Sequence, residues 1–274
     1  MLDKLAKNLG VLKQEFVKTY DGHSHIQELI PSCSSEFFPI NKTHLELLHN
    51  FVTKNPIYHN SYEKKIGDTL CTVYEGDINE YWLNSIKHGS SCQPFYPTWV
   101  ISAYIAASIA KNLQCNELVD IGSGDGRIGY CAKILDLQST SIEIDDVLVE
   151  LQKTILFATH IDFNPICADA IEFDYSTLNL TCPAFFIGGL PQMGGDVLAN
   201  NIINKISATD LKKNTCIVFA GTHSKRQLSD NQSVGGWSSL IDNHGLQVMK
   251  TVLLPTIWTF DQPSDTPYIY TKFI

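Results

Sequence analysis

The fold of this chain is decided by one glycine-rich stretch, residues 117–130, which reads ELVDIGSGDGRIGY. An apolar run followed by several glycines and a helix-forming segment is typical of the first strand, loop and helix of a parallel α/β sheet. Two patterns overlap in it: D-x-G-x-G-x-G from Asp120 to Gly126, and G-x-G-x-x-G from Gly124 to Gly129. Both place backbone N–H groups of the loop and helix start against a bound ligand. The stretch therefore predicts a ligand site, and its two patterns predict different ligands.

After this stretch, short apolar segments alternate with helical ones. The predicted strands are Leu118–Ile121, Ser141–Ile144, Pro165–Ala168, Ala184–Ile187 and Cys216–Ala220, and then Gln247–Leu254 and Tyr268–Ile274 without a helix between them. The predicted helices are Gly126–Leu137, Asp146–Ala158, Asp196–Ser207 and Trp237–Asn243. This order predicts an α/β fold with a doubly wound, seven-stranded, mainly parallel sheet that ends in a C-terminal antiparallel hairpin.

Residues 1–92 do not follow that alternation. Apolar residues recur at helical spacing from Leu2 to Phe16, and Asn41–Val52 also reads as a helix. Thr69–Tyr74 reads as a short strand, and Asp77 starts a third helix. We therefore predict a mainly helical N-terminal lobe, residues 1–92, that selects a substrate or acts as a lid, and a ligand-binding domain, residues 93–274.

Composition excludes several classes of protein. The formal net charge is −9 and the basic doublets are isolated, so we expect no nucleic-acid partner, which would need a basic stripe. Residues 93–274 contain 18 acidic and 11 basic residues, which favours a cationic substrate. The longest mostly apolar run, Trp99–Ala110, has 12 residues, whereas a spanning helix needs about 20. We expect no membrane insertion.

The cysteines and the N-terminus predict a cytoplasmic protein. The chain has 8 cysteines but no C-x-x-C pair, which favours reduced thiols over a disulfide framework or a zinc site. The first 20 residues scatter lysines among the apolar residues, unlike a secretory signal. His23 and His25 form an H-x-H pair without a second cluster to complete a ligand set, so we predict no metal site.

The two glycine patterns differ in the charge of the ligand that they suit. In the second pattern, Gly124, Gly126 and Gly129 would hold the phosphates of a dinucleotide. In the first pattern, the carboxylate of Asp120 lies beside Gly122, Ser123 and Gly124, where it suits the cationic amino acid portion of S-adenosylmethionine and would repel a pyrophosphate. We take the first pattern as the working one; a dehydrogenase and a purely structural glycine turn are the alternatives.

Two further residues of the stretch take structural roles in the first pattern. Gly129 is then a helix position that allows close packing, and it does not contact a phosphate. Arg127 is interpreted as a helix-surface residue, the ordinary place for a charged side chain in a first helical turn.

Acidic residues after the next two strands complete the predicted cofactor site. Glu143 lies 19 residues after Gly124, which suits a ribose-binding carboxylate in either pattern. In methyltransferases that carry the first pattern, the residues after the third strand hold the adenine of the cofactor. Here those residues are Asp169 and Ala170. These positions and the final hairpin favour S-adenosylmethionine.

Three motifs together resemble a known enzyme family. Tyr96-Pro97-Thr98, the glycine stretch and Ile187-Gly-Gly-Leu-Pro-Gln-Met193 are similar to motifs of the non-SET protein lysine methyltransferases. That group is typified by small archaeal enzymes and by the mitochondrial enzymes that modify ATP synthase subunit c and the adenine nucleotide translocator. The similarity covers residues 93–195. It does not extend to residues 1–92 or to Ala220-Gly-Thr-His-Ser-Lys225, and the mitochondrial enzymes' membrane-associating segment is missing.

The resemblance implies a class I, S-adenosylmethionine-dependent methyltransferase. It implies that Tyr96 and Thr98 close the cofactor pocket; the alternative is that Thr98 caps the following helix and Tyr96 packs in the core. It also implies that Pro191 and Gln192, after the fourth strand, belong to the acceptor site. The aromatic residue and the amide or carboxylate typical of base methyltransferases are lacking there.

These observations predict N-methylation of a lysine side chain in a partner protein. The sulfonium cofactor carries the reactive methyl group, so the protein need only bind, align and exclude water. Two alternatives stay open: a small-molecule O- or N-methyltransferase, and a non-catalytic module that binds S-adenosylmethionine. The sequence leaves the oligomeric state undetermined.

Overall fold

The computed structural model describes residues 1–85, 95–188, 195–221 and 236–274. Its helices are α1 (Leu2–Thr19), α2 (Lys42–Lys54), α3 (Asn79–Ser85), α4 (Val100–Asn112), α5 (Arg127–Ile134), α6 (Asp146–Thr159), α7 (Gly195–Ser207) and α8 (Ser238–Asn243). Its strands are β1 (Ile26–Pro31), β2 (Tyr58–Ile66), β3 (Thr69–Gly76), β4 (Glu117–Ile121), β5 (Gln138–Glu143), β6 (Pro165–Cys167), β7 (Pro183–Ile187), β8 (Cys216–Ala220), β9 (Leu246–Leu254) and β10 (Thr266–Phe273). No helix within these ranges is long and apolar enough to cross a membrane.

Seven strands form one sheet in the order β6-β5-β4-β7-β8-β10-β9. Strands β4 to β8 run parallel, and β10 is antiparallel to both β8 and β9. The reversed strand β10 lies between β8 and the edge strand β9, so β9 and β10 form the C-terminal antiparallel hairpin of a mainly parallel sheet. The predicted fold class is confirmed.

Side chains of the central strands alternate between two apolar layers, because successive residues of a strand point to opposite faces. Leu118 belongs to a buried cluster shared with α4, α5 and α6. Val119 and Ile121 belong to a second cluster shared with α7 and α8. Helices therefore cover both faces of the sheet, as in a doubly wound fold.

Helix α4 is apolar on all sides, and every residue from Val100 to Ala110 is buried. A helix of this kind needs cover on more than one side. The sheet supplies one side, and the N-terminal lobe supplies the other: Leu5, Leu9 and Phe16 of α1 belong to the same buried cluster as α4. The lobe thus packs directly against the sheet-forming part of the chain.

The N-terminal lobe combines α1, α2 and α3 with a three-stranded antiparallel sheet in the order β1-β3-β2. The sequence predicted these helices and β3 but missed β1 and β2. Strand β1 is buried along its whole length although it contains Gln27 and Glu28, and β2 is mostly polar and exposed. Neither strand has the apolar alternation that identifies a half-buried strand. The predicted boundary at residue 92 lies outside the described ranges and stays a prediction.

Candidate functional site

The predicted ligand site lies where the carboxyl ends of β4, β5 and β6 meet. The order of the strands reverses at β4, which lies between β5 and β7, and open α/β sheets bind ligands at such a point. The loop 122–126 follows β4, Glu143 ends β5, and Asp169 comes two residues after β6. The backbone N–H of Ala168 donates to the Glu143 carbonyl at 2.9 Å. The structure thus brings the predicted residues of three strands to one edge.

The glycine loop has the left-handed backbone that its glycines permit. The φ angles of Gly122, Gly124 and Gly126 are 68°, 57° and 79°, which residues with a side chain adopt at a cost. At Gly122, an added methyl group would meet no atom within 4 Å. Gly122 therefore borders open space at the carboxyl edge, where a ligand can approach the backbone.

The other three glycines of the stretch face protein side chains. An added methyl group would collide with Phe95 at Gly124, with Phe163 at Gly126 and with Ser141 at Gly129. The last contact agrees with the prediction that Gly129 allows close packing, here of α5 on β5. The three glycines of the dinucleotide pattern thus serve close packing, while Gly122 belongs to the pattern that begins at Asp120.

Two side chains hold the glycine loop in place. The Nε2 group of Gln152, on α6, donates to Ser123 Oγ at 2.9 Å and to the Gly124 carbonyl at 2.7 Å. The Glu143 carboxylate accepts from the Gly124 N–H at 2.8 Å. Ser123, a predicted ligand contact, is 7% exposed. Its hydroxyl is already used to fix the loop.

The Glu143 carboxylate lies at the end of β5 among backbone N–H groups. Its second oxygen accepts from Ile144 at 2.8 Å and from Asp145 at 3.0 Å. Burial raises the pKa of Glu143, and these N–H groups oppose that shift. Because a carboxylate has about four acceptor positions and three are used, about one remains for a hydroxyl donor of a ligand.

Asp120, on the neighbouring strand β4, has a buried carboxyl group near the same edge of the sheet. It is 2% exposed, and the backbone N–H of Gly129 hydrogen-bonds to it. Among the residues that the structure describes, its Oδ2 has no hydrogen-bond partner. Burial first, and then the charges of Glu143 and Asp125, raise the pKa of Asp120 to about 8. A cation placed beside this group would stabilise its ionised form.

Tyr96 and Thr98 lie in different surroundings. Thr98 is 6% exposed and pairs with Thr256 in an isolated antiparallel bridge; its hydroxyl donates to the Pro255 carbonyl at 3.3 Å. The N-cap of α4 is Trp99, not Thr98, so the capping alternative for Thr98 is wrong. Tyr96 is 43% exposed and its ring contacts Trp258 edge to face, so the alternative of core packing is wrong as well.

Asp169 and Ala170 form the turn after β6. Asp169 is exposed, and its side chain accepts from the backbone N–H of Ile171 at 2.8 Å. Ala170 is buried and its carbonyl accepts from the Tyr175 hydroxyl at 2.8 Å. Asp169 is therefore accessible at the predicted adenine end of the site, on a turn that Tyr175 fixes.

The sequence interpretation of Arg127 as a helix-surface residue is wrong. Arg127 is 2% exposed. It forms ion pairs with Glu28 of β1 and with Asp125 of the glycine loop, each at 2.5 Å. No local pattern could have identified Glu28, because it meets Arg127 across 99 positions of the chain. For Gln152 a signal existed, since it is a polar residue on the apolar face of α6.

Pro191 and Gln192, the predicted acceptor-site residues, lie outside the described residues. Gly188 is the last described residue before them, and its N–H donates to the Ile121 carbonyl at 3.3 Å. Within the described ranges, no group of three or more histidine, cysteine or acidic residues could hold a metal ion. His25 instead contacts Asp77 at 2.8 Å.

A separate groove of about 410 Å³ lies in the N-terminal lobe. It is bounded by α1, the segment after β1 and the turn between β2 and β3. Its exposed apolar side chains are Val11, Phe37 and Leu70, and its carboxylates are Glu15, Glu36 and Asp68. The twelve lining residues include no lysine or arginine.

No protein-family model matches the chain, and no curated protein matches it in sequence. Solved structures with a similar fold include the tRNA (uracil-54, C5)-methyltransferase of Pyrococcus abyssi in complex with S-adenosyl-L-homocysteine, at 12% identity and a TM-score of 0.42 over 61% of this chain and 37% of that one. The mitomycin 7-O-methyltransferase MmcR matches at 14% identity and a TM-score of 0.46, over 64% of this chain and 54% of that one.

The magnesium protoporphyrin IX methyltransferase ChlM from Synechocystis PCC 6803, with bound S-adenosylmethionine, matches at 10% identity and a TM-score of 0.46, over 64% of this chain and 78% of that one. The match covers less than two thirds of the Pyrococcus abyssi enzyme and of MmcR. At these identities and TM-scores the matches show a similar fold alone.

Proposed function

We propose that this chain binds S-adenosylmethionine at the carboxyl edge of its sheet and transfers the methyl group to an amine, that of a lysine side chain in a partner protein. The observation that carries the proposal is Asp120, a buried carboxyl group with an unpartnered oxygen among the described residues and a pKa raised to about 8. Such a group is stabilised by a cationic ligand, and S-adenosylmethionine carries both an ammonium and a sulfonium group.

The charge balance around the glycine loop supports a cation. Four of the carboxyl groups there are at most 7% exposed, and the buried cation Arg127 forms ion pairs with two of them, Glu28 and Asp125. The carboxyl groups are Glu28, Asp120, Asp125 and Glu143. The pyrophosphate of a dinucleotide would add negative charge to this excess, whereas a cation reduces it.

The residues present also fit the other parts of the cofactor. The backbone at Gly122 borders open space. Glu143 has about one acceptor position left for a ribose hydroxyl, and exposed Asp169 can accept from the exocyclic amine of adenine. When bound, the cofactor supplies an activated methyl group. These residues then have the task of holding it in line with the acceptor and away from water.

The acceptor proposed is a lysine. Its amine has an ordinary pKa of about 10.4, so at pH 7 the neutral form costs about 4–5 kcal/mol. Desolvation next to another positive charge lowers that pKa, so no dedicated base is required. The motifs at Tyr96–Thr98 and Ile187–Met193, together with the net charge of −9, support a cationic protein segment over a nucleic acid.

We assign selection of the acceptor to the N-terminal lobe. Its groove presents three exposed apolar side chains between three carboxylates, which suits a short basic and apolar segment of the partner protein. Charge complementarity of this kind raises the rate of encounter more than the final affinity. Leu70→Lys, which removes an apolar contact of the groove and repels a basic segment, is then expected to raise KM for the acceptor and to leave cofactor affinity unchanged.

Calorimetric titration tests the cofactor. S-adenosylmethionine and S-adenosylhomocysteine are expected to bind and NAD is not. A chain that binds NAD and neither of the other two would overturn the assignment.

Methyl-labelled cofactor with cell lysate tests the acceptor. Label in a protein band, recovered as methyllysine after hydrolysis, is the expected result. Label in small molecules or RNA would contradict the lysine assignment, and cofactor binding without transfer to any acceptor would leave a binding module.

A further inference from the structure

A buried cluster of acidic and basic side chains joins the N-terminal lobe to the glycine loop. Arg127, at the start of α5, donates from Nη1 to Glu28 Oε1 and from Nη2 to Asp125 Oδ2, each at 2.5 Å. The three side chains are between 0% and 3% exposed. Glu28 belongs to β1 of the lobe, and Asp125 lies inside the glycine loop.

Glu28 also serves as the cap of α4. Its Oε2 accepts from the backbone N–H of Val100, the first residue of α4, at 2.9 Å. The N-cap residue of that helix, Trp99, offers no side-chain acceptor. A negative charge at a helix N-terminus is stabilised by the helix dipole, so Glu28 fixes the point where the segment 96–99 enters α4.

Arg127 links this point to the loop. Besides Glu28 and Asp125, its guanidinium donates to the Thr98 carbonyl, and its Nε donates to Asp125 Oδ1 at 2.8 Å. The lobe makes a further contact here, because Asn55 Nδ2 donates to Asp125 Oδ2 at 2.9 Å. One planar cation therefore holds the glycine loop and the Tyr96–Thr98 segment at a fixed separation.

Folding alone does not require such a cluster. Replacing a buried ion pair with apolar side chains is often neutral or stabilising, because the charges must be desolvated. The hydrogen bonds between a guanidinium and carboxylates are directional and can be bidentate. A buried cluster that contacts two segments of a ligand site therefore fixes the position of one segment relative to the other.

We propose that Glu28 is a positioning residue of the cofactor site, acting through Arg127 to hold the glycine loop and the Tyr96–Thr98 segment in the arrangement that binds the cofactor. The inference rests on the proposed function for the identity of that cofactor. It gives the N-terminal lobe a part in building the cofactor site, separate from any part in choosing the acceptor.

The test is Glu28→Gln, which keeps the shape and an acceptor for Val100 but loses the ion pair. Affinity for S-adenosylhomocysteine, measured well below the melting temperature, is expected to fall about tenfold, the usual weight of a buried charged hydrogen bond. The matched control is Glu117→Gln, another buried carboxylate, at the opposite end of β4. It is expected to bind as the wild type does.

A pH profile separates positioning from general stability. Burial raises the pKa of Glu28 to about 7, with Arg127 opposing the shift. Protonation of Asp120, whose pKa is about 8, weakens the binding of a cationic ligand in both proteins alike. The affinity advantage of the wild type over Glu28→Gln is therefore expected to shrink as the pH falls through about 7, because Glu28 then loses its charge. Tyr58, Cys131 and Asp125 also face this cluster; burial raises the pKa of Tyr58 and Cys131 well above their ordinary values. Neither of those two titrates in this range.

Binding within twofold of the wild type by folded Glu28→Gln overturns the proposal. If that variant does not fold, Tyr58→Phe decides, because the Tyr58 hydroxyl donates to Glu28 at 3.1 Å and accepts from Arg127 at 3.2 Å. A severalfold loss of affinity supports positioning, and unchanged affinity refutes it. A wild type that binds no S-adenosylhomocysteine refutes instead the proposed function on which the inference rests.

Discussion

Each end of β4 has a buried carboxyl group, and the two groups differ in their hydrogen bonding. At the amino end, Glu117 accepts from the Thr181 hydroxyl at 2.7 Å and from the Cys182 N–H at 2.9 Å, so both oxygens have a donor. Near the carboxyl end, Asp120 receives the Gly129 N–H, and its Oδ2 has no partner among the described residues. Glu117 and Asp120 are 5% and 2% exposed.

Burial alone therefore does not make a functional group. A satisfied carboxylate such as Glu117 ties a loop to a strand and stabilises the fold. Asp120 has an oxygen without a partner among the described residues, other acids nearby and a raised pKa. Such a group lowers the stability of the fold unless a ligand supplies the missing hydrogen bond or counter-charge. The carboxylate at the amino end of β4 is fully paired, whereas the one near the carboxyl end keeps an oxygen for the proposed ligand. Four predictions test that difference.

The largest effect is expected from Arg127→Leu. Removing this cation leaves Glu28 and Asp125 buried without a counter-charge, and breaking a buried pair in this way costs about 3–5 kcal/mol. Glu117→Gln, at the other end of β4, loses part of a satisfied network and should cost about 1–2 kcal/mol. Urea denaturation measures both, and equal midpoints for the two variants would contradict the prediction.

Asp120→Asn should weaken cofactor binding without weakening the fold. The loss of one buried charge against a cationic ligand is worth about 2 kcal/mol, or about 30-fold in Kd. The asparagine oxygen can still accept from Gly129, so stability is kept. Glu117→Gln should behave in the opposite way, with lower stability and unchanged Kd. Calorimetry and thermal unfolding on the two variants show whether the effects separate.

Gly129→Ala should destabilise the protein by about 1–3 kcal/mol, because the new methyl group overpacks against the Ser141 hydroxyl. Adding Ser141→Ala removes the blocking hydroxyl and should recover part of the loss. Gly122→Ala, where the methyl group enters open space at φ 68°, should in contrast lower cofactor affinity as well as stability. Measuring unfolding and Kd for all three distinguishes a packing glycine from a ligand-facing one.

The smallest effect concerns pH. The pKa of Asp120 is about 8 when folded, against an ordinary value of 3.8, so the native state holds a proton that the unfolded chain releases. The stability from this group is complete below about pH 4 and is lost as the pH rises through about 8. Between pH 7 and 9 the wild type should lose about 1 kcal/mol relative to Asp120→Asn. Parallel pH curves for the two proteins would show that Asp120 is ionised in the native state.

The sequence predicted the order and type of elements from Cys115 onward because each has a local cause. Apolar runs form the strands, helical periodicity forms the helices between them, and glycines form the loop after β4. It did not predict β1 and β2, whose residues lack alternation, or the burial of Arg127, because a charged residue in a first helical turn is ordinarily solvated.

At the site, the sequence by itself determined where the loop and acids lie, since parallel strands bring their carboxyl ends to one edge. Only the tertiary structure decided which glycine faces open space, that Phe95 covers Gly124, and that Glu28 reaches Arg127 from the N-terminal lobe. These features depend on contacts between residues far apart in the chain. A local pattern records the propensity of a segment, but the partner that completes a buried charge is fixed only when the whole chain folds.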